Sequence, residues 1–391
     1  MLDSAVVAPH HAAKIVFNDH SVAEFKFIWL RDSCKCQLCV HEATGQRLLD
    51  SNSLDLNIRP KELYINDRGQ LEIIWPDASQ QEKHRSIFDA SWLYRYGQCF
   101  MENTYEQQDV ERNRPPKELW DREKIKKQFP KLSYTEFQSG DAGLRKWLEY
   151  IHIFGIAVIQ GVPTQNQEEV REIVNRFAYV KQTAYGLTFD VLAEPKAAHL
   201  ANTGRYLEHH TDLNYREKAP GLQLLHCLKS EVLGEGDEEA AGGKSFFVDG
   251  FHVAQWLEDH EPAAFHILTS TPLRFQIKMD GKRYSQLWPV IALDSHGDLA
   301  EIHYNNRTSG PLQAPNNVVI PFYHALKKFV DKLRDPASEL VFAMSPGDVV
   351  AFDNRRVLHG RTAFNPRRIA RHLKGCYVDI DEAYSKYDSL L

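Results

Sequence analysis

The spacing of apolar residues divides the chain into a short β-rich part and a longer part in which helices precede strands. In the first hundred residues, short apolar runs bounded by turn residues predict strands at 15–17, 24–28 and 71–75. Beyond residue 131, helical spacing predicts helices over 141–152 and 165–177, on either side of a strand at 155–160. Later runs predict strands at 220–228, 245–249, 302–306, 347–353, 357–361 and 371–379, and a helix near 322–332.

This order of elements predicts the fold class and the domain organisation. Helices followed by many short antiparallel strands are typical of a double-sheet jelly roll with helical support. We therefore predict a mainly β protein with a small N-terminal domain over 1–100, a charged connector over 101–130 and a larger domain over 131–391. The acidic, glycine-rich stretch 234–243 is predicted to be a solvated surface loop, with a lid over the following strand as the alternative.

Composition and charge exclude several classes of protein. With 391 residues, of which 43% are hydrophobic and 26% charged, the chain resembles a globular protein with a sizeable core. A net charge of −6 argues against a general nucleic-acid or anionic-membrane surface. No apolar run approaches the roughly 20 residues of a membrane span. The N-terminus resembles neither a signal peptide nor a transit peptide, so we expect a cytoplasmic protein.

Three of the six cysteines lie within six positions, at Cys34, Cys36 and Cys39, which is ligand spacing rather than a disulfide framework. Three thiolates on a short loop can surround one zinc ion, and a fourth ligand completes the tetrahedron. His41, close in sequence, and His84, after the predicted strand 71–75, are the two candidates. Because a set of three cysteines and one histidine leaves no open position, the predicted role is structural.

A second group of candidate metal ligands consists of His210, Asp212 and His359. In an extended segment, residues i and i+2 point the same way, so His210 and Asp212 can face one metal while His209 and Thr211 point away. Two imidazoles and one carboxylate can occupy one face of an octahedral iron(II) ion and leave three positions open for a co-substrate and oxygen. A structural zinc site would have no such open positions.

The motifs around these residues resemble the γ-butyrobetaine hydroxylase and trimethyllysine hydroxylase branch of the 2-oxoglutarate-dependent oxygenases. The similarity rests on the cysteine cluster and, in the same order, on 210–212, 219–227, 248–251, 346–348, 353–360 and 371–377. It covers nearly the whole chain, and the ordered co-occurrence is specific. The resemblance implies a double-stranded β-helix, iron(II), 2-oxoglutarate as co-substrate, ascorbate as reductant, a homodimer, and His84 as the fourth zinc ligand.

The same resemblance implies how the co-substrate and a cationic substrate are bound. Arg371 would pair with the distal carboxylate of 2-oxoglutarate through two parallel hydrogen bonds, assisted by Ser245. Tyr185 and Tyr377 match an aromatic cage for trimethylammonium, which has no N–H to donate and is therefore recognised by ring faces. Phe189 stands where γ-butyrobetaine hydroxylase has a tryptophan, and the segment around 200–202 offers no further cage tyrosine.

At the anionic end of the substrate, Asn306 resembles the asparagine that binds the substrate carboxylate. Arg307 beside it departs from the γ-butyrobetaine hydroxylase pattern. An inward Arg307 would suit a more highly charged anion such as a phosphonate, whereas an outward one would be a surface residue.

The predicted reaction is hydroxylation of a small trimethylammonium compound, with γ-butyrobetaine to L-carnitine as the leading assignment. The alternatives are a trimethylammonium phosphonate such as 2-(trimethylammonio)ethylphosphonate, and trimethyllysine. Two different classes stay open: a zinc hydrolase that uses His210, Asp212 and His359, and an interaction protein that has lost activity. The Arg371 context argues against the hydrolase, and retention of the three ligands and of Arg371 argues against the loss of activity.

Overall fold

The computed structural model describes residues 1–76, 84–102, 114–192, 204–233 and 242–391, with the backbone alone over 98–102. The chain forms two compact units, Met1–Arg112 and Asn113–Leu391. The sequence prediction placed a connector between two domains at 101–130. No helix among the described residues is long and apolar enough to cross a membrane.

The described residues of the first unit form two antiparallel three-stranded sheets, two α-helices and a short 3-10 helix, Ser51–Ser53. The strands and α-helices of this unit are β1 (Leu2–Ala8), β2 (Ala12–Phe17), β3 (Val22–Lys26), α1 (Phe27–Asp32), β4 (Glu62–Ile65), β5 (Leu71–Trp75), β6 (His84–Phe88) and α2 (Ala90–Glu102). The strand predicted over 24–28 ends at Lys26, because Phe27 and Leu30 lie one helical turn apart and both point into the core. That core also contains Phe25 and Trp75.

The second unit begins with a segment that packs against the rest of that unit and does not form a solvated connector. Trp120 is buried, and its indole Nε1 donates to the carbonyl oxygen of Phe154 at 2.6 Å. The charge run that follows is the helix α3 (Arg122–Lys127), with Asp121 as its N-cap and Ile125 buried beneath it. Residues 114–130 are therefore part of the larger unit.

The supporting helices and first strands of this unit are β7 (Lys131–Ser133), α4 (Tyr134–Gln138), α5 (Asp141–Phe154), β8 (Ile156–Gln160) and α6 (Glu169–Asn175). One face of α5 is buried, and Gly155 ends the helix in the left-handed conformation with φ 70°. The predicted helices at 141–152 and 165–177 and the strand at 155–160 are confirmed, although the second helix is shorter than predicted.

Two facing sheets form the jelly roll, which confirms the predicted fold class. Its remaining strands are β9 (Thr188–Leu192), β10 (Leu207–His210), β11 (Leu222–Val232), β12 (Ser245–Asp249), β17 (Leu340–Phe342), β18 (Val349–Asp353), β19 (Val357–Arg361) and β20 (Ile369–Val378). The order is β10-β19-β12-β17 in one sheet and β7-β8-β18-β11-β20-β9 in the other. Phe247 of β12 meets Phe352 of β18 between the sheets, with ring centroids 5.3 Å apart.

The chain between β12 and β17 contains the helix predicted near 322–332, which is longer than predicted, and several elements that the apolar spacing did not predict. It comprises α7 (Gly250–His260), α8 (Pro262–Ser270), β13 (Leu273–Met279), β14 (Lys282–Trp288), β15 (Ile291–Leu293), β16 (Leu299–Ile302) and α9 (Asn316–Leu333). The strand predicted over 302–306 ends at Ile302, and a turn follows at 306–308. The chain closes with α10 (Ile380–Asp388). Most of the acidic stretch predicted as a loop, 234–241, lies outside the described residues.

Candidate active site

The three predicted iron ligands converge at one end of the four-stranded sheet. His210 ends β10 directly opposite His359 of β19, and Asp212 follows two residues later. The Asp212 Oδ1 atom lies 3.3 Å from His210 Nε2, and Oδ2 lies 3.8 Å from His359 Nε2. One ligand atom from each residue lies within 4.8 Å of the other two.

These residues fit a divalent ion such as iron(II). Ligand atoms about 2.1 Å from a metal and at right angles to each other would be about 3 Å apart. The Nδ1–H of His210 donates to the carbonyl oxygen of Glu208 at 2.7 Å, which leaves the Nε2 lone pair for a metal. Burial and the adjacent His210 lower the pKa of His359 to about 3, so its imidazole is neutral.

The carboxylate of the set is ionised in its buried position. Burial alone would raise the pKa of Asp212, but its interactions with His210 first, and then with His359 and Tyr377, hold that pKa well below its usual value. Thr211 points away, and its hydroxyl donates to the carbonyl of Ile302 and accepts from Asn214 Nδ2. His209 also points away, with its Nε2 2.9 Å from Glu339.

A cavity of about 310 Å³ opens at this triad, and its wall brings together most of the predicted site residues. Besides the three metal ligands, the predicted residues that line it are Tyr185, Phe189, Ser245, Arg307, Arg371 and Tyr377. The cavity therefore joins the candidate metal site to aromatic and cationic side chains.

Aromatic rings form one wall of the cavity. Phe189 stacks on Tyr377 with centroids 5.0 Å apart, and Tyr185 lies 6.3 Å from Phe189. Tyr215, which the sequence analysis did not propose, also lines the cavity, and its hydroxyl is 3.4 Å from that of Tyr185. Its position three residues after Asp212 was the available signal. The Tyr377 hydroxyl donates to Asp212 Oδ2 at 2.8 Å, so this wall contacts a candidate metal ligand directly.

Arginines form a second wall. Arg371 is buried on β20 and donates through Nη2 to Ser245 Oγ at 3.2 Å, which brings together the two residues predicted to hold the co-substrate. Burial lowers the pKa of Arg371 to about 10. Arg361 lines the same cavity but was not predicted, although residues 359 and 361 of one strand share a face. Burial, and then the charge of Arg371, lower its pKa to about 9.

The structure differs from the sequence prediction at Asn306. Asn306 is exposed at the corner of a turn, whereas the neighbouring Asn305 is buried and lines the cavity. The Asn305 side chain accepts from the backbone N–H of Arg307 at 3.2 Å and donates to the carbonyl of Thr211 at 3.2 Å, which turns the next residue outward. Arg307 also lines the cavity, although the residue as a whole is exposed, and partial burial of its guanidinium lowers the pKa of that group.

The cysteine cluster in the first unit is completed by His84. Its Nε2 atom lies 3.5, 3.4 and 3.3 Å from the sulfur atoms of Cys34, Cys36 and Cys39, respectively. Tetrahedral zinc with ordinary bond lengths would separate such nitrogen and sulfur atoms by about 3.5 Å. Burial, and then Cys34, raise the pKa of Cys39 to about 12, and a divalent cation would reverse that shift. His41 is exposed and contacts Thr44 instead.

Comparison with known proteins agrees with this geometry. The taurine catabolism dioxygenase TauD, TfdA family matches residues 113–377, so the chain belongs to that family and is a dioxygenase. The N-terminal domain type named γ-butyrobetaine hydroxylase-like matches residues 9–94.

Full-length relatives carry more specific names. The chain is 33% identical to γ-butyrobetaine dioxygenase of Pseudomonas sp. (strain AK-1), over 95% of this chain and 92% of that protein. It is 35% identical to γ-butyrobetaine dioxygenase of Homo sapiens, over 96% and 93%. It is 32% identical to mitochondrial trimethyllysine dioxygenase of Rattus norvegicus, over 93% and 82%. The predicted family is confirmed.

Proposed function

We propose that this protein catalyses the iron(II)- and 2-oxoglutarate-dependent hydroxylation of a small trimethylammonium compound, with γ-butyrobetaine to L-carnitine as the leading reaction. The observation that supports the proposal is that the triad, the Arg371–Ser245 pair and the aromatic wall all line the same cavity. Relatives named γ-butyrobetaine dioxygenase support the choice of substrate.

His210, Asp212 and His359 would hold the iron, and Arg371 with Ser245 would bind the distal carboxylate of 2-oxoglutarate. When bound, iron and 2-oxoglutarate would supply the oxidising chemistry with dioxygen as the oxidant: one atom of O2 enters the substrate C–H bond, the other goes to succinate, and carbon dioxide is released. The guanidinium of Arg371 offers two parallel donors that match a carboxylate. Burial of this arginine strengthens such a pair, because water competes less for its donors.

The aromatic wall would orient the substrate. A trimethylammonium group has no N–H, so Tyr185, Phe189 and Tyr377 would bind it through their ring faces. Tyr377 would also fix the rotation of the Asp212 carboxylate through its hydroxyl. Apolar side chains such as Leu225 and Phe247 line the same cavity and would exclude water. The chain would thus aim one C–H bond at the metal and keep solvent away from it.

A second candidate substrate is a trimethylammonium phosphonate such as 2-(trimethylammonio)ethylphosphonate. The observation that favours it is Arg307, which lines the cavity together with Arg361 and Arg371. A charged donor binds a doubly charged phosphonate more strongly than a carboxylate, whereas the neutral amide of Asn305 discriminates less. Trimethyllysine stays a third candidate because trimethyllysine dioxygenases are also relatives.

The test is an assay of the purified protein with iron(II), ascorbate, 2-oxoglutarate and each of the three compounds in turn. We expect oxygen-dependent succinate formation above the substrate-free control, and a product heavier by one oxygen atom. The compound with the highest kcat/KM is the assigned substrate. Succinate at the control level with all three compounds would overturn the proposal, and oxygen-independent hydrolysis would indicate the zinc-hydrolase class.

We further propose that the N-terminal unit binds a structural zinc ion through Cys34, Cys36, Cys39 and His84. The enzyme is proposed to be a homodimer, as the family resemblance implies, and to work in the cytoplasm. A reducing compartment suits a cluster of unpaired cysteines. Light scattering of the purified protein would test the dimer.

A further inference from the structure

The turn between β18 and β19 contains Asn354, whose buried side-chain amide forms hydrogen bonds to the backbone of Asp212, a candidate metal ligand. Asn354 is 1% exposed. Its Oδ1 accepts from the backbone N–H of Asp212 at 2.7 Å, and its Nδ2 donates to the carbonyl of Asp212 at 3.0 Å. The same Nδ2 also donates to the carbonyl of Pro220 at 3.2 Å. One side chain therefore holds both backbone polar groups of Asp212 and the segment that leads into β11.

The backbone beside Asp212 needs such support. Leu213, the next residue, has φ 62°, a left-handed conformation that side chains with a Cβ rarely adopt. Leu213 is buried and lines the cavity, so it cannot relax into solvent. Unfavourable backbone conformations persist only where their surroundings enforce them. The two bonds from Asn354 to Asp212 act on the residue immediately before the left-handed one.

Asn354 also connects the two chain segments that supply the metal ligands. Its own backbone N–H donates to the carbonyl of Gly221 at 2.8 Å, and His359 follows five residues later on β19. Asp212 lies on the other segment, after β10. The amide thereby fixes the loop of Asp212 to the turn from which the strand of His359 begins.

We propose that Asn354 is a positioning residue that keeps the Asp212 carboxylate in register with His210 and His359 for metal binding. The proposal rests on the proposed iron site. Partners that orient metal ligands typically change metal affinity 10- to 100-fold when they are removed. The isosteric Asn354→Asp keeps the acceptor but replaces the donor by an oxygen that faces two carbonyls, so it should impair binding as Asn354→Ala does.

The matched control is Asn214→Ala. Asn214 is equally buried and belongs to the same loop, but its amide bonds to Thr211 rather than to Asp212. Each variant, with zinc in the N-terminal cysteine site and the triad free of metal, is titrated anaerobically with iron(II) by calorimetry. Its thermal midpoint is also recorded. We expect iron affinity to fall about 10-fold or more in Asn354→Ala and Asn354→Asp. In Asn214→Ala the loss of iron affinity should be several-fold smaller, even where the thermal midpoint falls by a comparable amount.

A second readout is the ratio of succinate to hydroxylated product. A displaced carboxylate should raise this ratio in the Asn354 variants, because 2-oxoglutarate is then consumed without productive aim at the substrate. If iron affinity merely follows the thermal midpoint across all three variants, Asn354 is a structural residue and the proposal is wrong. If the wild-type protein binds no exchangeable iron at all, the proposed function fails, and the proposed role of Asn354 fails with it. Failure of the Asn354 proposal alone is therefore distinguishable from failure of the proposed function.

Discussion

The buried ion pair between Arg356 and Asp249 makes a quantitative prediction about stability. Arg356, near the start of β19, donates to both carboxylate oxygens of Asp249 at 3.0 and 2.8 Å. It also donates to the carbonyl oxygens of Ile153 and Glu118 at 2.9 and 2.6 Å. Asp249 in turn caps α7 and accepts from the backbone N–H of Trp120. Both side chains are fully buried, so solvent cannot replace any of these bonds.

The substitution Arg356→Met keeps most of the side-chain volume and removes all four of these hydrogen bonds. It leaves a buried carboxylate without its cationic partner and the Glu118 carbonyl without the Arg356 donor, while the Ile153 carbonyl still accepts from the backbone N–H of Glu118. Removing one partner of a buried pair costs about 3–5 kcal/mol of unfolding free energy. Because the Asp249 carboxylate is stranded in the single variant, the double variant Arg356→Met/Asp249→Asn should be less destabilised than the sum of its two single variants.

Urea unfolding of the second unit, followed by tryptophan fluorescence, measures these free energies. The control is Lys327→Met, which breaks an exposed pair with Asp331 one helical turn away and should change the free energy by about 0.5 kcal/mol or less. A loss below about 1 kcal/mol for Arg356→Met would refute the reasoning, since it would mean that water or a rearranged partner satisfies Asp249. Additive effects in the double variant would show that the two side chains do not act as a pair.

Three further predictions concern the sites. Asp212→Ala should abolish turnover without unfolding the protein, because it removes a ligand at a cavity wall. Substrate-dependent succinate and the thermal midpoint measure this, and full activity with added iron(II) would contradict the ligand assignment. Cys36→Ser should lower zinc content and thermal midpoint together, since bound metal contributes folding free energy; reduced wild-type protein without about one zinc per chain would refute the cluster's role. Arg307→Ala should raise the KM of the preferred substrate, at a cost of roughly 1.5–3 kcal/mol, or about 10- to 150-fold in kcat/KM, more for a phosphonate than for a carboxylate. Iron and 2-oxoglutarate affinities serve as the control, and equal, small effects on both analogues would show that Arg307 does not bind the anion.

The parts of the site that follow strand alternation could be predicted from the sequence. His210 and Asp212 share a face because they are two residues apart, and β10 and β19 bring His359 to them. The distinction between Asn305 and Asn306 could not be predicted in this way. It depends on a turn in which the Asn305 side chain bonds to the backbone N–H of Arg307 and to the carbonyl of the distant Thr211, and a shift of one residue reverses which side chain faces inward.

Burial of charge was the other difficulty. An arginine on a strand is expected to face solvent, so Arg361 was not proposed, although the cavity of a dioxygenase with an anionic co-substrate can accept it.

The helices over 250–270 were missed because α8 begins at Pro262, directly after α7, which interrupts the helical spacing. Proline at the first position of a helix is favourable, so the same residue that suggested a break marks a new start.

The hydrogen bond from Tyr377 to Asp212 restricts how this cavity can change over evolution. Tyr377 stacks on Phe189 with its ring and contacts a candidate iron ligand with its hydroxyl. A replacement that reshapes the pocket at this position would also disturb the metal centre. Phe189 lines the same wall, and its side chain has no hydroxyl that could bond to the triad. New substrate preferences in this lineage should therefore arise first at position 189, while position 377 stays a tyrosine.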